Sequence, residues 1–280
     1  MKGMIPGIAA LVIGFGCGAR TLLPIGDVGE ASDDTSLSKG SLGSAVTLVP
    51  LTTDSAGVIL DNNVGIVGQW YAWSDNWGML GPPGPCQELG GFSKAQCSSI
   101  SFPPPPTSFP PSFPQVSPGT FCLSGTAAQV IGKTPGGPPD YADIYGIGMG
   151  LDLNNSGGGA AKMPYNAPAY HVIGFQFDIV NLPPARLGSV RVELPTHEAD
   201  VRGFADWGKL LTSPLPNGGK NVQILLSQPE LQQLFTSVGM PPAFHPEDLL
   251  SVEFHVASVT GNAIPVDGLC VSHLQAMVQN

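Results

Sequence analysis

The sequence predicts an all-β fold, an antiparallel two-sheet sandwich carrying one short helix and a long Pro-rich insertion. Composition is the first reason. Only 11% of the 280 residues are charged, while Gly (37) and Pro (29) are abundant, so helix formers are scarce and turn residues plentiful. Periodicity is the second: five segments alternate apolar and polar side chains with a period of two, the pattern of strands buried on one face. A hydrophobic fraction of 42% is enough for a sizeable core, and the length sets one or two domains as the expectation.

In chain order, the N-terminus comes first. Lys2 supplies a short basic region, and Ile5 to Phe15 is an apolar stretch too short to span a bilayer. It ends in Gly14-Phe-Gly-Cys17, a small residue directly before Cys, which resembles the lipobox of bacterial lipoproteins. Gly14 sits where that motif has Leu, and Phe15 where it has a small residue. The resemblance implies a signal peptide over 1–16, lipidation of Cys17 and a membrane-anchored lipoprotein of the cell envelope, at the outer membrane. The alternative is a plain secretory signal cleaved nearby, giving a secreted protein. Residues 17–44 are small, polar and acidic with no apolar period, which reads as a flexible tether.

The folded domain is expected over 45–280, opening with Val46-Thr-Leu-Val-Pro. In the first aromatic strand Ile66, Gly68, Trp70 and Ala72 share one face, and Val67, Gln69, Tyr71 and Trp73 the other, before the segment stops at Asp75. Residues 81–118 form the irregular Pro-rich insertion, with a polyproline-like run that holds Phe102, Phe109 and Phe113. Those rings either pack on the sandwich or offer a partner site. Further strands follow. Tyr145, Ile147, Met149, Leu151 and Leu153 oppose Gly146, Gly148, Gly150 and Asp152; Ile173, Phe175, Phe177 and Ile179 oppose Gly174, Gln176 and Asp178. Val190, Val192 and Leu194 oppose Arg191 and Glu193, and Val252, Phe254 and Val256 oppose Ser251, Glu253 and His255. One apolar face per strand means two sheets sharing a core, with both outer faces wetted. Ser227-Gln-Pro-Glu230 has a capping-box pattern, so a short helix is expected from there to near Gly239, and a helical turn at His245-Pro-Glu-Asp-Leu.

Charge excludes some functions. A net charge of −10 and a pI near 4.7 argue against nucleic acid or an anionic membrane surface as partner, since either needs a clustered basic face.

The order of motifs carries a family resemblance. Trp70-Tyr-x-Trp-x-Asp75, Phe121-Cys-Leu-Ser-Gly125, Gly148-Met-Gly-Leu-Asp-Leu-Asn154 and Tyr165-Asn-Ala-x-Ala-Tyr170 are followed by Val190-Arg-Val-Glu-Leu-Pro and Phe244-x-Pro-x-x-Leu-x-Ser-Val-Glu-Phe. With the closing Asp267-Gly-Leu-Cys-Val-Ser-His-Leu274, this resembles the galactose-binding-like jelly-roll family of exported bacterial proteins, which includes many carbohydrate-binding modules. The resemblance implies a jelly roll that binds an extracellular carbohydrate without chemistry. Its closing strand departs from the family, because Ser272 and His273 replace the paired Asp of a structural calcium site. No metal or cofactor is expected. Of five cysteines, four remain if Cys17 is lipidated. Cys86 and Cys97 bracket a short loop and read as a local disulfide. The third and last strands of a jelly roll are neighbours, which pairs Cys122 with Cys270.

Sugar sites stack aromatic rings on pyranose faces and surround them with hydrogen-bonding side chains. The non-core faces supply Gln69, Tyr71, Trp73, Asp152, Gln176, Asp178, Arg191 and Glu193, with Glu253 and His255 beside them; these converge if their strands share one sheet. Trp70 is assigned to the core, whereas Trp77 and Trp207 are placed in loops. The competing reading is an ordinary solvated face. Thr196-His-Glu-Ala-Asp200 and His245-Pro-Glu-Asp248 gather His and acids in loops, but no nucleophile or metalloprotease motif is present, so no enzyme is expected. Gly146-x-Gly-x-Gly lies within a strand, which excludes a dinucleotide site. The second functional reading is a structural or adhesive envelope protein that binds another protein.

Overall fold

The period-two segments become strands β1 (Val46–Pro50), β2 (Trp70–Ser74), β3 (Gln115–Ser117), β4 (Thr120–Ala127), β5 (Gly146–Asp152), β6 (Val172–Val180) and β7 (Val190–Leu194). After a helix α1 (His197–Arg202) come β8 (Trp207–Leu211), β9 (Val222–Leu225), β10 (Gln232–Gln233), β11 (Ser251–Ala257) and the long β12 (Ile264–Gln279). The computed structural model describes residues 45–74, 115–127, 130, 146–155, 162–183, 190–202, 206–211, 214–227, 231–233, 243–257 and 263–280. The signal peptide, Cys17 and the tether, Asp75, Trp77, Cys86, Cys97, the Pro/Phe run and Tyr145 lie outside the described residues.

Two antiparallel sheets form, each of six strands. The first runs β3-β4-β12-β6-β9, with β1 continuing beside β12; the second runs β10-β8-β7-β11-β5-β2. β12 can border so many partners because of its length: β4 pairs with Ile264 to Val271, and β1 with Gln275 to Gln279. β6 takes the opposite edge. The sheets meet through their apolar faces. Trp70 of the second sheet stacks on Phe121 of the first at 4.6 Å, and Phe254 meets Phe177 edge-on at 4.9 Å. Phe175, Phe177, Phe254, Met149 and Leu151 are fully buried. Each such side chain contributes about 1.5–3 kcal/mol. Trp70 is a core residue, as its alternation predicts.

The predicted Cys122–Cys270 disulfide is present, and it joins the fourth strand, not the third, to the last. Cys122 and Cys270 lie directly opposite in the β4–β12 ladder and are joined by a disulfide on the outer face of the first sheet.

Four expectations need correction. The aromatic strand begins at Trp70, not at Ile66; residues before it hold only isolated bridges, Val58 with Gln69 and Val67 with Asn154. At Gly68 the chain passes so close to β5 that a Cβ would lie 1.9 Å from the Asp152 carbonyl oxygen. Gln232 and Gln233, expected in a helix, instead form β10 beside Gly208 and Trp207. Burial of Leu231 anchors the segment there, and strand pairing overrides helix propensity. Trp207 belongs to β8, half-buried against the core with Phe244, and is not a loop residue.

Finally, the Thr196–Asp200 segment is no open loop: it starts α1. Thr196 Oγ1 accepts the Ala199 N–H, the Asp248 carboxylate accepts the Glu198 N–H, and Glu198 and Asp200 occupy the first turn. These satisfy otherwise unpaired amides and suit the positive end of the helix. The turn expected before β11 is a 3₁₀ turn over Pro246–Asp248.

Candidate functional site

The outer face of the second sheet is built on glycine. Gly146, Gly148 and Gly150 of β5 point their missing side chains outward, leaving a trough between β2 and β11. Trp73 pairs with Gly148 and Tyr71 with Gly150. A Cβ on Gly148 would lie 2.4 Å from the Trp73 ring, and one on Gly150 would lie 2.8 Å from the Tyr71 hydroxyl. The two aromatics therefore lie down across bare backbone, in the manner by which rings shield strand glycines. Trp73 also meets His255 edge-on at 4.6 Å.

Charged groups surround these rings, and this face is not wetted as expected. Lys162 Nζ sits 4.2 Å from the centroid of the Tyr71 ring, 2.6 Å from its hydroxyl oxygen, 3.2 Å from Asp152 and 3.4 Å from Glu253. The Tyr71 hydroxyl donates to Glu253, which also accepts Ser251 Oγ at 2.7 Å. Asn155 donates to the second oxygen of Asp152 at 2.9 Å. Further along, His255 Nδ1 contacts both oxygens of Glu193 at 3.0 and 3.1 Å. The Asp152, Glu193 and His255 side chains are only 4–6% exposed, Glu253 is 12% exposed and Lys162 34%. Buried charges at such positions are tolerated only when paired and hydrogen-bonded, a condition this network meets except at Asp152 Oδ1, which has the ammonium of Lys162 nearby but no well-aligned hydrogen bond.

Acids are in surplus. Asp152 and Glu253 lie against Lys162, and Glu193 and Asp206 lie near enough to add their charge. Protein crowding around its carboxyl, reinforced by the charges of Glu193, Glu253 and Asp200, pushes Asp206 well above the usual carboxylate range, with Lys162 pulling weakly the other way. Burial, then the charge of Glu253, raises the Tyr71 phenol well above its ordinary value, so it stays a neutral donor. Among the described residues no group of three or more His, Cys, Asp and Glu is placed to hold a metal ion.

Of the sequence-derived candidates, Tyr71, Trp73, Asp152, Arg191 and Glu193 share this face, together with Glu253 and His255. Gln69 stands one residue before β2 and takes part through its backbone, its carbonyl accepting the Asp152 N–H at 3.2 Å. Gln176 and Asp178 do not join them, because β6 belongs to the first sheet. There Gln223 donates to Gln176 at 2.8 Å, Gln176 donates to Asn221 at 3.2 Å and to Gln275 at 3.4 Å. Asp178 accepts the Asn221 N–H at 2.7 Å and meets His273 at 2.9 Å. Burial raises the Asp178 carboxyl, but the Asn221 amide, His273 and Lys220 outweigh it and leave the net shift downward. Lys162 and Asp206 were not foreseen. Both lie outside the alternating segments, so periodicity carries no signal for them.

No protein-family model matches the chain, and no curated protein matches it. Among solved structures, it is similar to the solution structure of CtCBM11, a carbohydrate-binding module, at 12% identity and a TM-score of 0.30 over 83% of this chain and 98% of that one. The fold assignment rests on the strand pairing above, not on that likeness.

Proposed function

We propose that this protein binds an extracellular carbohydrate, without chemistry, across the outer face of the second sheet. The observation that carries the reading is the joining of two half-buried aromatics on a glycine trough to a bed of hydrogen-bonding side chains. A pyranose ring packs its C–H face on Trp73 or Tyr71, and Lys162, Asp152, Glu253 and Arg191 lie at the margins to engage hydroxyls. The absence of chemistry is inferred from the state of the acids: Glu253 already accepts Tyr71 and Ser251 and pairs with Lys162, so it is poorly placed to move a proton. The two His/acid segments support the same view, since Asp248 caps α1 and His245 contacts Glu198 and Glu247. For the setting, we propose a cell-envelope lipoprotein held through Cys17. An apolar N-terminal stretch ending at that Cys supports this, as does a disulfide suited to an oxidising compartment.

A glycan array probed with the full-length chain, Tyr71→Ala and Trp73→Ala tests the proposal. Binding by the wild type, weakened about tenfold by either change, is expected. Silence across the array, or binding indifferent to both changes, would sink it.

A further inference from the structure

We infer that Asp152, Glu253 and Tyr71 form a receptor for a primary ammonium group, filled in the free protein by the chain's own Lys162, and that the carbohydrate bound by this face carries a free amine that displaces it. The inference rests on the reading that this face receives the ligand and names the class of that ligand.

The groups around Lys162 Nζ are those of an ammonium site. An alkylammonium has three N–H donors and no acceptor. Three oxygens stand around the nitrogen, from Tyr71 at 2.6 Å, Asp152 at 3.2 Å and Glu253 at 3.4 Å, while the Tyr71 ring centroid lies 4.2 Å away. Carboxylates supply charge, and the ring face adds a cation–π contact.

The receptor half is set independently of Lys162. Gly150 gives Tyr71 its seat, Ser251 fixes Glu253 and Asn155 fixes Asp152. The occupant is less enclosed: the Lys162 side chain is 34% exposed, against 6% for Asp152. It can therefore leave without opening the sheet.

Lys162 also fills the site imperfectly. Among the described residues, Asp152 Oδ1 is buried and accepts no hydrogen bond of sound geometry, although the ammonium lies 3.2 Å from it. An acceptor left in that state costs free energy that a better-placed donor recovers. An amine free of the Lys162 backbone tether can take up that direction. Two carboxylates against one ammonium leave the site itself acidic, which repels uronate or sulfate groups and favours a cationic sugar.

The test uses the full-length chain with Lys162→Ala and Lys162→Met, so that loss of charge is separated from loss of the aliphatic stem. Without the ammonium, two buried carboxylates lose their partner, and the thermal unfolding midpoint near neutral pH should drop by about 5 °C in both variants. Propylammonium chloride should restore at least half of that loss, while tetramethylammonium chloride, which has no N–H, should not. Glucosamine oligosaccharides with free amines should bind the wild type more tightly than their N-acetylated counterparts. Lys162→Ala should bind the free-amine form about tenfold more tightly again. Equal effects of the two ammonium salts, or oligosaccharides bound with no preference for the free amine, overturn the inference. If both variants fail to fold, the wild-type preference between the two oligosaccharides decides alone. Tyr71- and Trp73-dependent binding of neutral glycans only would overturn this inference and leave the proposed function standing. Rescue by propylammonium with no glycan bound would do the reverse, keeping the ammonium receptor and removing the carbohydrate.

Discussion

The two outer faces of this sandwich solve the same problem by different chemistry. On the first sheet, neutral amides of Gln176, Gln223, Gln275 and Asn221 run across β9, β6 and β12, and the Cys122–Cys270 disulfide staples β4 to β12 beside them. His273, which meets Asp178 at 2.9 Å, stands 76% exposed. On the second sheet, aromatics lie on glycine and carboxylates are buried against Lys162 and His255. A face of mostly neutral amides with a covalent staple, its acid Asp178 set against an exposed His273, can tolerate water at little cost. A face of buried charge is expensive to maintain, and its pairing must be kept intact. That expense, concentrated where two aromatics lie on bare backbone, is why the second face is the better candidate for a binding surface.

The comparison can be broken by removing what holds each face. The largest effect is expected on the first: Cys122→Ser with Cys270→Ser opens a loop of 148 residues and should lower stability by about 3 kcal/mol, equally in mildly acidic and mildly alkaline buffer, as read by chemical denaturation. On the second face Gly148→Val should cost about 2 kcal/mol, because the new side chain displaces the Trp73 ring; a changed Trp fluorescence spectrum in the folded state would accompany it. If that spectrum stays the same, the ring does not lie on Gly148.

Smaller effects carry opposite pH signatures. Asp206 has a raised folded pKa, so its ionised form opposes folding above the ordinary aspartate value of 3.8. Asp206→Asn should therefore stabilise the protein near neutral pH, with the gain fading as pH falls towards that value and the acid becomes protonated in both states. Asp178 is shifted the other way. Its contribution is complete above 3.8 and is lost as pH falls through its lowered folded value. Asp178→Asn should cost about 0.5 kcal/mol near neutral pH and nothing in strong acid. Denaturation curves across pH check both signs.

Much of this architecture was legible in the sequence. Alternation separated core from non-core residues along β5, β6, β7 and β11, because one buried face imposes a period of two. It also put Tyr71 and Trp73 opposite Trp70. What alternation cannot give is which sheet a strand joins. Gln176 and Glu193 both face away from the core, yet β6 lies in the first sheet and β7 in the second, a matter of long-range pairing. Lys162 escaped for a related reason: it reaches the site from an irregular segment, and its partners Tyr71 and Glu253 are each 91 residues away. Helix α1 carried a usable signal in Thr196 followed by acids, whereas the capping-box pattern at Ser227 pointed to a helix where Gln232 and Gln233 pair as a strand.

The most direct test of the central claim sets one face against the other. Calorimetric titration of the tightest array glycan should show affinity reduced about tenfold or more in Trp73→Ala and unchanged in Gln176→Ala. Loss in Gln176→Ala with Trp73→Ala unaffected would place the ligand on the amide face and contradict the account.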